Sequence, residues 1–325
     1  MKVLNVAVWG LGPHAIKNIL PALEDCEGAN LYGVCSRSVE SVAAQASARR
    51  CLGWNDPAKM LDDPDLDIVF LATPIGLHAA HGKAILAANK HLWCEKPLAM
   101  NLEQALELST LSRTRQLSLA EGFMYLYHPQ FSRLAEILNS QMLGEIRSVT
   151  CRFGLPPLAR PGFRTSAELG GGAFLDVGCY PVSAITSLFP GLTLAVVASE
   201  IRRAPGSPVD MDGSAMLRCE NGAAITLDWA LGRAYRNEID IWGSKGSVST
   251  DRIFSKPADY VPQFRFLDLN GRESLEPGWP GNHFLTMFEA FRKLVDDPAK
   301  AENARGMIVR RAQLMDEIAK NSPRA

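Results

Sequence analysis

Three groups of residues have the types and spacing to do chemistry. The first is Glu95-Lys96-Pro97, which closes the apolar run His91-Leu92-Trp93-Cys94. Two charges at the end of such a run suit the carboxyl edge of a parallel sheet, where open α/β folds bind ligands. Pro97 offers no backbone donor and biases Lys96 away from helical dihedrals, so the lysine is held at the strand end. The second is Gly170-Gly171-Gly172 followed by Asp176 and Tyr180. An Asp and a Tyr four apart share one helix face, where the carboxylate can orient the phenol or hold a substrate hydroxyl. The glycines admit another backbone or a flat ligand. The third is Gly10-Leu11-Gly12-Pro13-His14-Ala15, a G-x-G-x-x-A turn between a β-rich run and a helical pattern. Its backbone can turn at Gly10, approach a pyrophosphate at Gly12 and pack a helix closely at Ala15, with the helix N-terminus facing the phosphates.

Two further stretches bear on that third group. About 20 residues after the turn, where an acid would accept from the ribose 2′-hydroxyl of NAD, the chain reads Ser36-Arg37. A hydroxyl and a guanidinium suit a 2′-phosphate, so NADP(H) is expected to be preferred over NAD(H). Ala72-Thr73-Pro74, with His78 beyond it, is a turn that can wall the same cofactor, and His78 can equally cap the next helix.

The elements that must position these groups change character along the chain. Leu4 to Trp9, Leu31 to Cys35, Asp67 to Ala72, His91 to Glu95 and Leu117 to Glu121 read as strands. They alternate with helical segments at Val39 to Cys51, Ala79 to Asn89 and Asn101 to Arg115, the last capped by its asparagine. This is a doubly wound parallel sheet over residues 1–121. Pro21 is expected to kink or shorten the first helix. After a helix at Pro129 to Gln141, β-type runs follow one another at Ile146, Leu194, Ser214, Ala224, Glu238, Ser247 and Phe264. Helices return at Phe284 to Val295 and Ala301 to Lys320. Residues 122–325 therefore read as a second α/β domain with a large, mostly antiparallel open sheet. Asn221-Gly222 supplies the positive φ angles of a tight hairpin turn, and Pro181 needs compensation at the Val177 carbonyl.

Composition narrows the partners. The 325 residues are 47% hydrophobic, with 34 basic and 35 acidic side chains mixed throughout, which gives no field for a nucleic-acid backbone. No apolar run approaches a bilayer span and Met1-Lys2-Val3-Leu4 leads straight into a strand, so a cytoplasmic protein with no membrane partner is expected. The seven cysteines are scattered without C-x-x-C pairs; they read as reduced thiols, and no metal site is expected.

Taken together, the Gly10-x-Gly12 turn, Ala72-Thr73-Pro74, Glu95-Lys96-Pro97, Glu121-Gly122-Phe123-Met124-Tyr125, His128-Pro129-Gln130 and the Gly170 to Tyr180 run resemble the Gfo/Idh/MocA oxidoreductases over nearly the whole chain. The resemblance implies a Rossmann domain, a second domain whose open sheet serves oligomer contacts, and a nicotinamide cofactor between them. A homodimer or homotetramer is expected. Tyr180 stands where many members carry histidine. In that respect the chain resembles the branch of glucose-fructose oxidoreductase, dihydrodiol dehydrogenase, some aldose dehydrogenases and sugar-nucleotide ketoreductases.

The implied reaction is hydride transfer between nicotinamide and a secondary alcohol or carbonyl of a polyhydroxylated, sugar-like substrate. Tyr180 is the general acid/base and Lys96 supports it, because an ammonium about 4 Å away favours the phenolate by at most about three pKa units. Asp176 holds a neighbouring hydroxyl, while Tyr127 and Arg164 are further candidates for lining the pocket. Gly10, Leu11, Gly12, Pro13, His14, Ser36, Arg37, Ala72, Thr73, Pro74, His78, Glu95 and Lys96 are the expected cofactor contacts. Two other functions fit the same fold: a dinucleotide-binding sensor without turnover, and an enzyme that uses transient oxidation for elimination or hydrolysis.

Overall fold

A computed structural model describes residues 2–157, 159 and 162–323. The chain forms two compact units, the first running to Met124 and including Phe284–Val309, the second comprising Tyr125–His283 and the residues from Arg310 onward. Residues 122–124 and a late helical segment thus fold with the first unit, although they follow the 121/122 boundary read from the sequence.

The first unit is built on a six-stranded parallel sheet. Its strands are β1 (Leu4–Trp9), β2 (Ala29–Cys35), β3 (Leu52–Trp54), β4 (Ile68–Leu71), β5 (His91–Glu95) and β6 (Leu119–Gly122), in the order β3-β2-β1-β4-β5-β6. All four residues of β4 are buried, as a central parallel strand covered on both faces requires. The connections carry α1 (Leu20–Glu24), α2 (Val39–Arg49), α3 (Pro57–Leu61), α4 (Ile75–Ala87) and α5 (Leu102–Thr114), the last capped by Asn101, which accepts from Gln104 N–H at 3.0 Å. β3 and α3 escape sequence reading because each is one short step, and β3 carries no buried residue. Within this unit Phe288 and Phe291 pack at 5.9 and 5.7 Å from Trp93 of β5. Burying such rings contributes about 1.5–3 kcal/mol each and explains why this late segment belongs to the first sheet.

The second unit holds an eight-stranded sheet. Following α6 (Pro129–Asn139), its strands are β7 (Ile146–Leu155), β8 (Leu194–Arg203), β9 (Asp210–Cys219), β10 (Ala224–Leu231), β11 (Arg236–Gly243), β12 (Gly246–Asp251), β13 (Gln263–Asp268) and β14 (Glu273–Pro277). Their order is β14-β13-β12-β11-β7-β10-β9-β8, antiparallel at every pairing except β7 with β10. Helix α7 (Cys179–Leu188) lies in the β7–β8 connection and is buried along nearly its whole length. The Asn-Gly expectation is corrected in one respect. Only Gly222 has positive φ, at 88°, and its N–H bonds Cys219 O at 2.8 Å, a type I turn with the glycine following it.

Pro21 and Pro181 share a solution. Each is preceded by a π-helical turn, Ala15–Ile19 and Phe174–Gly178 respectively, so the chain stays helical past both prolines. A proline cannot donate to the carbonyl four residues back, and the wider turn moves the neighbouring bonds one residue further.

Candidate active site

The glycine-turn edge of the first unit is made chiefly of backbone. Gly10 has φ +114°, and a Cβ there would fall 2.5 Å from Ala72 O, so glycine alone lets the Gly10 turn and the Ala72-Thr73-Pro74 loop meet. Gly12 is exposed with nothing within 4 Å of its Cβ position, which leaves the open approach a pyrophosphate needs. Leu11 is half-buried, while Pro13 and His14 are exposed beside it.

Glu95 and Lys96 sit half-buried at the end of β5, and the Lys96–Pro97 peptide is cis. His14 Nε2 lies 3.3 Å from Glu95 Oε1. Burial pushes the Glu95 carboxyl up, but the His14 charge and hydrogen bond, with Lys96 beside it, outweigh this and hold it below its ordinary value. Beyond the proline, Leu98 N–H donates to buried Glu121 Oε1 at 2.8 Å, a tie that sequence reasoning assigned to no residue.

His78 requires a correction. It is 1% exposed, its Nδ1 lies 2.9 Å from Pro97 O and its Nε2 2.8 Å from Thr73 O. It braces the chain at Thr73 and at Pro97, with each ring nitrogen turned to a carbonyl oxygen and away from any ligand. Burial, its largest influence, lowers its pKa despite the two carbonyls beside the ring.

At the end of β2, Ser36 is fixed by main-chain bonds. Its N–H donates to Trp54 O at 3.1 Å, and its carbonyl accepts from Asn55 Nδ2 at 2.9 Å. Arg37 is exposed and makes no hydrogen bond or ion pair among the described residues. Its field reaches His81, a residue outside the sequence reading, whose pKa is lowered by burial first and by His78 and Arg37 after it. His81 stacks on Trp9 with ring centres 4.1 Å apart and has Nδ1 3.2 Å from Thr73 Oγ1.

The second unit holds Tyr180, Asp176, Arg164 and Tyr127. Tyr180 is 6% exposed, its ring 5.0 Å from Phe153, 5.4 Å from Phe254 and 5.8 Å from Tyr125. Asp176 is buried in the π-turn, and four residues is near one turn in this geometry as in the α-helix, so the two remain on one side. Arg164 donates through Nε to Asp176 Oδ2 at 2.5 Å, which makes these two candidates partners. The triple glycine explains how. A Cβ on Gly171 would fall 2.5 Å from Arg164 O, and one on Gly172 2.3 Å from Asp210 Oδ1. It is therefore a neighbouring backbone and a carboxylate that the glycines admit. Asp210 accepts from Phe174 N–H at 2.6 Å and caps the helical stretch that carries Asp176 and Tyr180. Burial, its largest influence, leaves its pKa raised despite the backbone donors. Nothing local in the sequence marks Asp210, since only folding brings it 36 residues back. Tyr127 is half-buried and ends the 3₁₀ turn Met124–Tyr127.

A glycine turn and a free guanidinium on a doubly wound sheet define a dinucleotide-binding protein. The chain belongs to the Gfo/Idh/MocA oxidoreductases: residues 4–123 match the oxidoreductase family with NAD-binding Rossmann fold, and residues 131–249 match the GFO/IDH/MocA C-terminal domain. It is 31% identical to a dTDP-3,4-didehydro-2,6-dideoxy-alpha-D-glucose 3-reductase of Saccharopolyspora spinosa, covering 98% of this chain and 97% of that one. It is 26% identical to a D-xylose 1-dehydrogenase (NADP(+)) of Haloferax volcanii, over 89% of this chain and 88% of the other. Among solved structures it superposes on a 3-ketoreductase from Actinomadura kijaniata with a TM-score of 0.92 and 30% identity, covering 98% of each chain. That structure is a Tyr-to-Phe mutant in complex with TDP-benzene and NADP.

Proposed function

We propose that this oxidoreductase uses NADP(H) to interconvert a secondary alcohol and a carbonyl on the sugar ring of a nucleotide-linked sugar. The observation that carries the reading is the near-complete match to sugar-nucleotide 3-reductases in a chain that keeps Lys96, Asp176 and Tyr180. Support for NADP(H) comes from Ser36 and unpaired Arg37 at the β2 end, and from a relative crystallised with NADP. When bound, the nicotinamide supplies or accepts the hydride.

The chain's own residues handle the proton and the orientation. Tyr180 Oη gives a proton to the carbonyl oxygen during reduction and takes it back during oxidation. Lys96 stabilises the phenolate by its charge. Asp176, steadied by Arg164, accepts from a neighbouring sugar hydroxyl, and Tyr127 lines the sugar. Gly10, Leu11, Gly12, Pro13 and His14 receive the pyrophosphate, Ala72, Thr73 and Pro74 wall the cofactor, and Glu95 accepts from its ribose. The enzyme works in the cytoplasm as a homodimer or homotetramer joined through the sheet of the second unit.

The test is a panel of sugar nucleotides, free sugars and diols, assayed in both directions by reduced-nicotinamide absorbance. NADPH oxidation with a keto-sugar nucleotide, at least tenfold faster than with any free sugar, is expected. Turnover of free sugars alone would defeat the substrate assignment.

A further inference from the structure

Lys256 lies outside every motif used so far. Its half-buried ammonium makes one hydrogen bond, to Ile253 O at 2.9 Å, and no ion pair among the described residues. An ammonium carries three donors, and a partly desolvated cation without a counter-ion favours a bound anion. Burial accordingly pulls its pKa down to about 7. Other cations of the second unit are engaged: Arg164 on Asp176, Arg202 and Arg233 on Asp212, Arg252 over the rings of Tyr235 and Tyr260.

The field of Lys256 reaches His128, whose pKa falls to about 4 through burial first and this charge second. His128 is fully buried, and its Nδ1 accepts from Gln130 N–H at 3.0 Å. That puts the proton of the neutral ring on Nε2, which has no hydrogen-bond partner among the described residues. A buried donor with no acceptor and a partly buried ammonium with one thus share a region, a pattern interiors avoid unless something else brings oxygen. The missing partner is an acceptor and an anion; a metal ion has the wrong sign. Lys256 also follows by two residues Phe254, whose ring touches that of Tyr180 at 5.4 Å.

We propose that Lys256, whose charge reaches His128, is an anion-binding subsite for the phosphate oxygens of the substrate, those of a sugar nucleotide's diphosphate. The inference rests on the substrate class proposed above and adds the residue that reads it.

The experiment is calorimetric titration of dTDP and of inorganic pyrophosphate into the NADP-loaded protein, the unaltered chain beside Lys256→Met and Lys256→Arg. Both probes should bind Lys256→Met about 10- to 30-fold more weakly and Lys256→Arg within about threefold, with NADP affinity unchanged. Thermal melting confirms folding, and Lys256→Gln replaces Lys256→Met if that variant does not fold. Equal dTDP affinity in parent and Lys256→Met overturns the subsite while leaving the substrate reading intact. So does a parent that binds neither probe at millimolar concentration, or a Lys256→Met variant that loses NADP affinity instead. Pyrophosphate binding that depends on Lys256, in a parent inactive on every sugar nucleotide, upholds the subsite and overturns the substrate reading.

Discussion

In the first unit the expected ligand contacts are main chain and exposed side chains at strand ends: Gly10 and Gly12 in their turn, Ala72-Thr73-Pro74 beside them, and Arg37 with no hydrogen-bond or ion-pair partner among the described residues. In the second unit they are buried side chains already held by others, with Tyr180 among Phe153, Phe254 and Tyr125, and Asp176 on Arg164. A dinucleotide is a large, charged ligand whose phosphates are read by backbone N–H groups, so its receptor can remain open. A proton donor must have one orientation, and packing supplies it. The two regions should therefore fail in different ways when altered.

Tyr180→Phe is the sharpest division between them. It should lower kcat by about 10²- to 10⁴-fold while leaving the NADPH dissociation constant within twofold, since only the hydroxyl is lost. Single-turnover absorbance and fluorescence titration measure the two, and activity within a few-fold of the parent would remove Tyr180 from its role. Lys96→Met should reduce turnover by about 10- to 100-fold and move a limb of the pH–rate profile toward the ordinary phenol value. An unmoved limb with full turnover would leave Lys96 a strand-end residue only.

Changes at the β2 end should alter choice without altering chemistry. Ser36→Asp with Arg37→Ile is expected to turn a roughly 10- to 100-fold preference for NADP into one for NAD, because a charged hydrogen bond of this kind is worth about 1.5–3 kcal/mol. If the parent has higher kcat/KM with NAD, Arg37 serves something else. Asp210→Ala removes the cap beneath the Tyr180 helix and should cost about 0.5–2 kcal/mol, a fall of a few degrees in Tm, with Asp210→Asn recovering most of it. Equal melting of parent and alanine variant would show that the cap contributes nothing.

The smallest expected effect is a slope. Lys256 has a folded pKa of about 7 against an ordinary 10.5, so the unfolded chain binds more protons between those values and stability rises with pH across that window. The Tm of the cofactor-free protein, compared between pH 7 and 9, should rise more for the parent than for Lys256→Met. Identical slopes would mean that this lysine is better solvated than its surroundings imply.

Much of the fold was legible because it is local. Alternation of apolar strands with helical segments, the cap at Asn101 and the positive φ at Gly10 follow from dihedral limits and periodicity within a few residues. Strand β14, Glu-Ser-Leu-Glu-Pro, was missed because a charged edge strand with no buried residue carries no such pattern. The start of β9 at Asp210 was missed for a related reason: Asp210 and Asp212 look like loop residues until one caps a helix and the other takes two arginines.

What the amino-acid sequence determined by itself is the doubly wound first sheet, the nucleotide turn, and the strand-end and helix positions of Lys96, Asp176 and Tyr180. Tertiary structure alone decided the rest. It made His78 a brace, joined Arg164 to Asp176, put Asp210 under the Tyr180 helix, paired β7 with β10 in parallel and left Lys256 without a counter-ion among the described residues. Each of these depends on which distant group arrives within hydrogen-bond reach or fails to, and on how much water burial removes. Neither quantity is encoded in residue type or spacing along the chain.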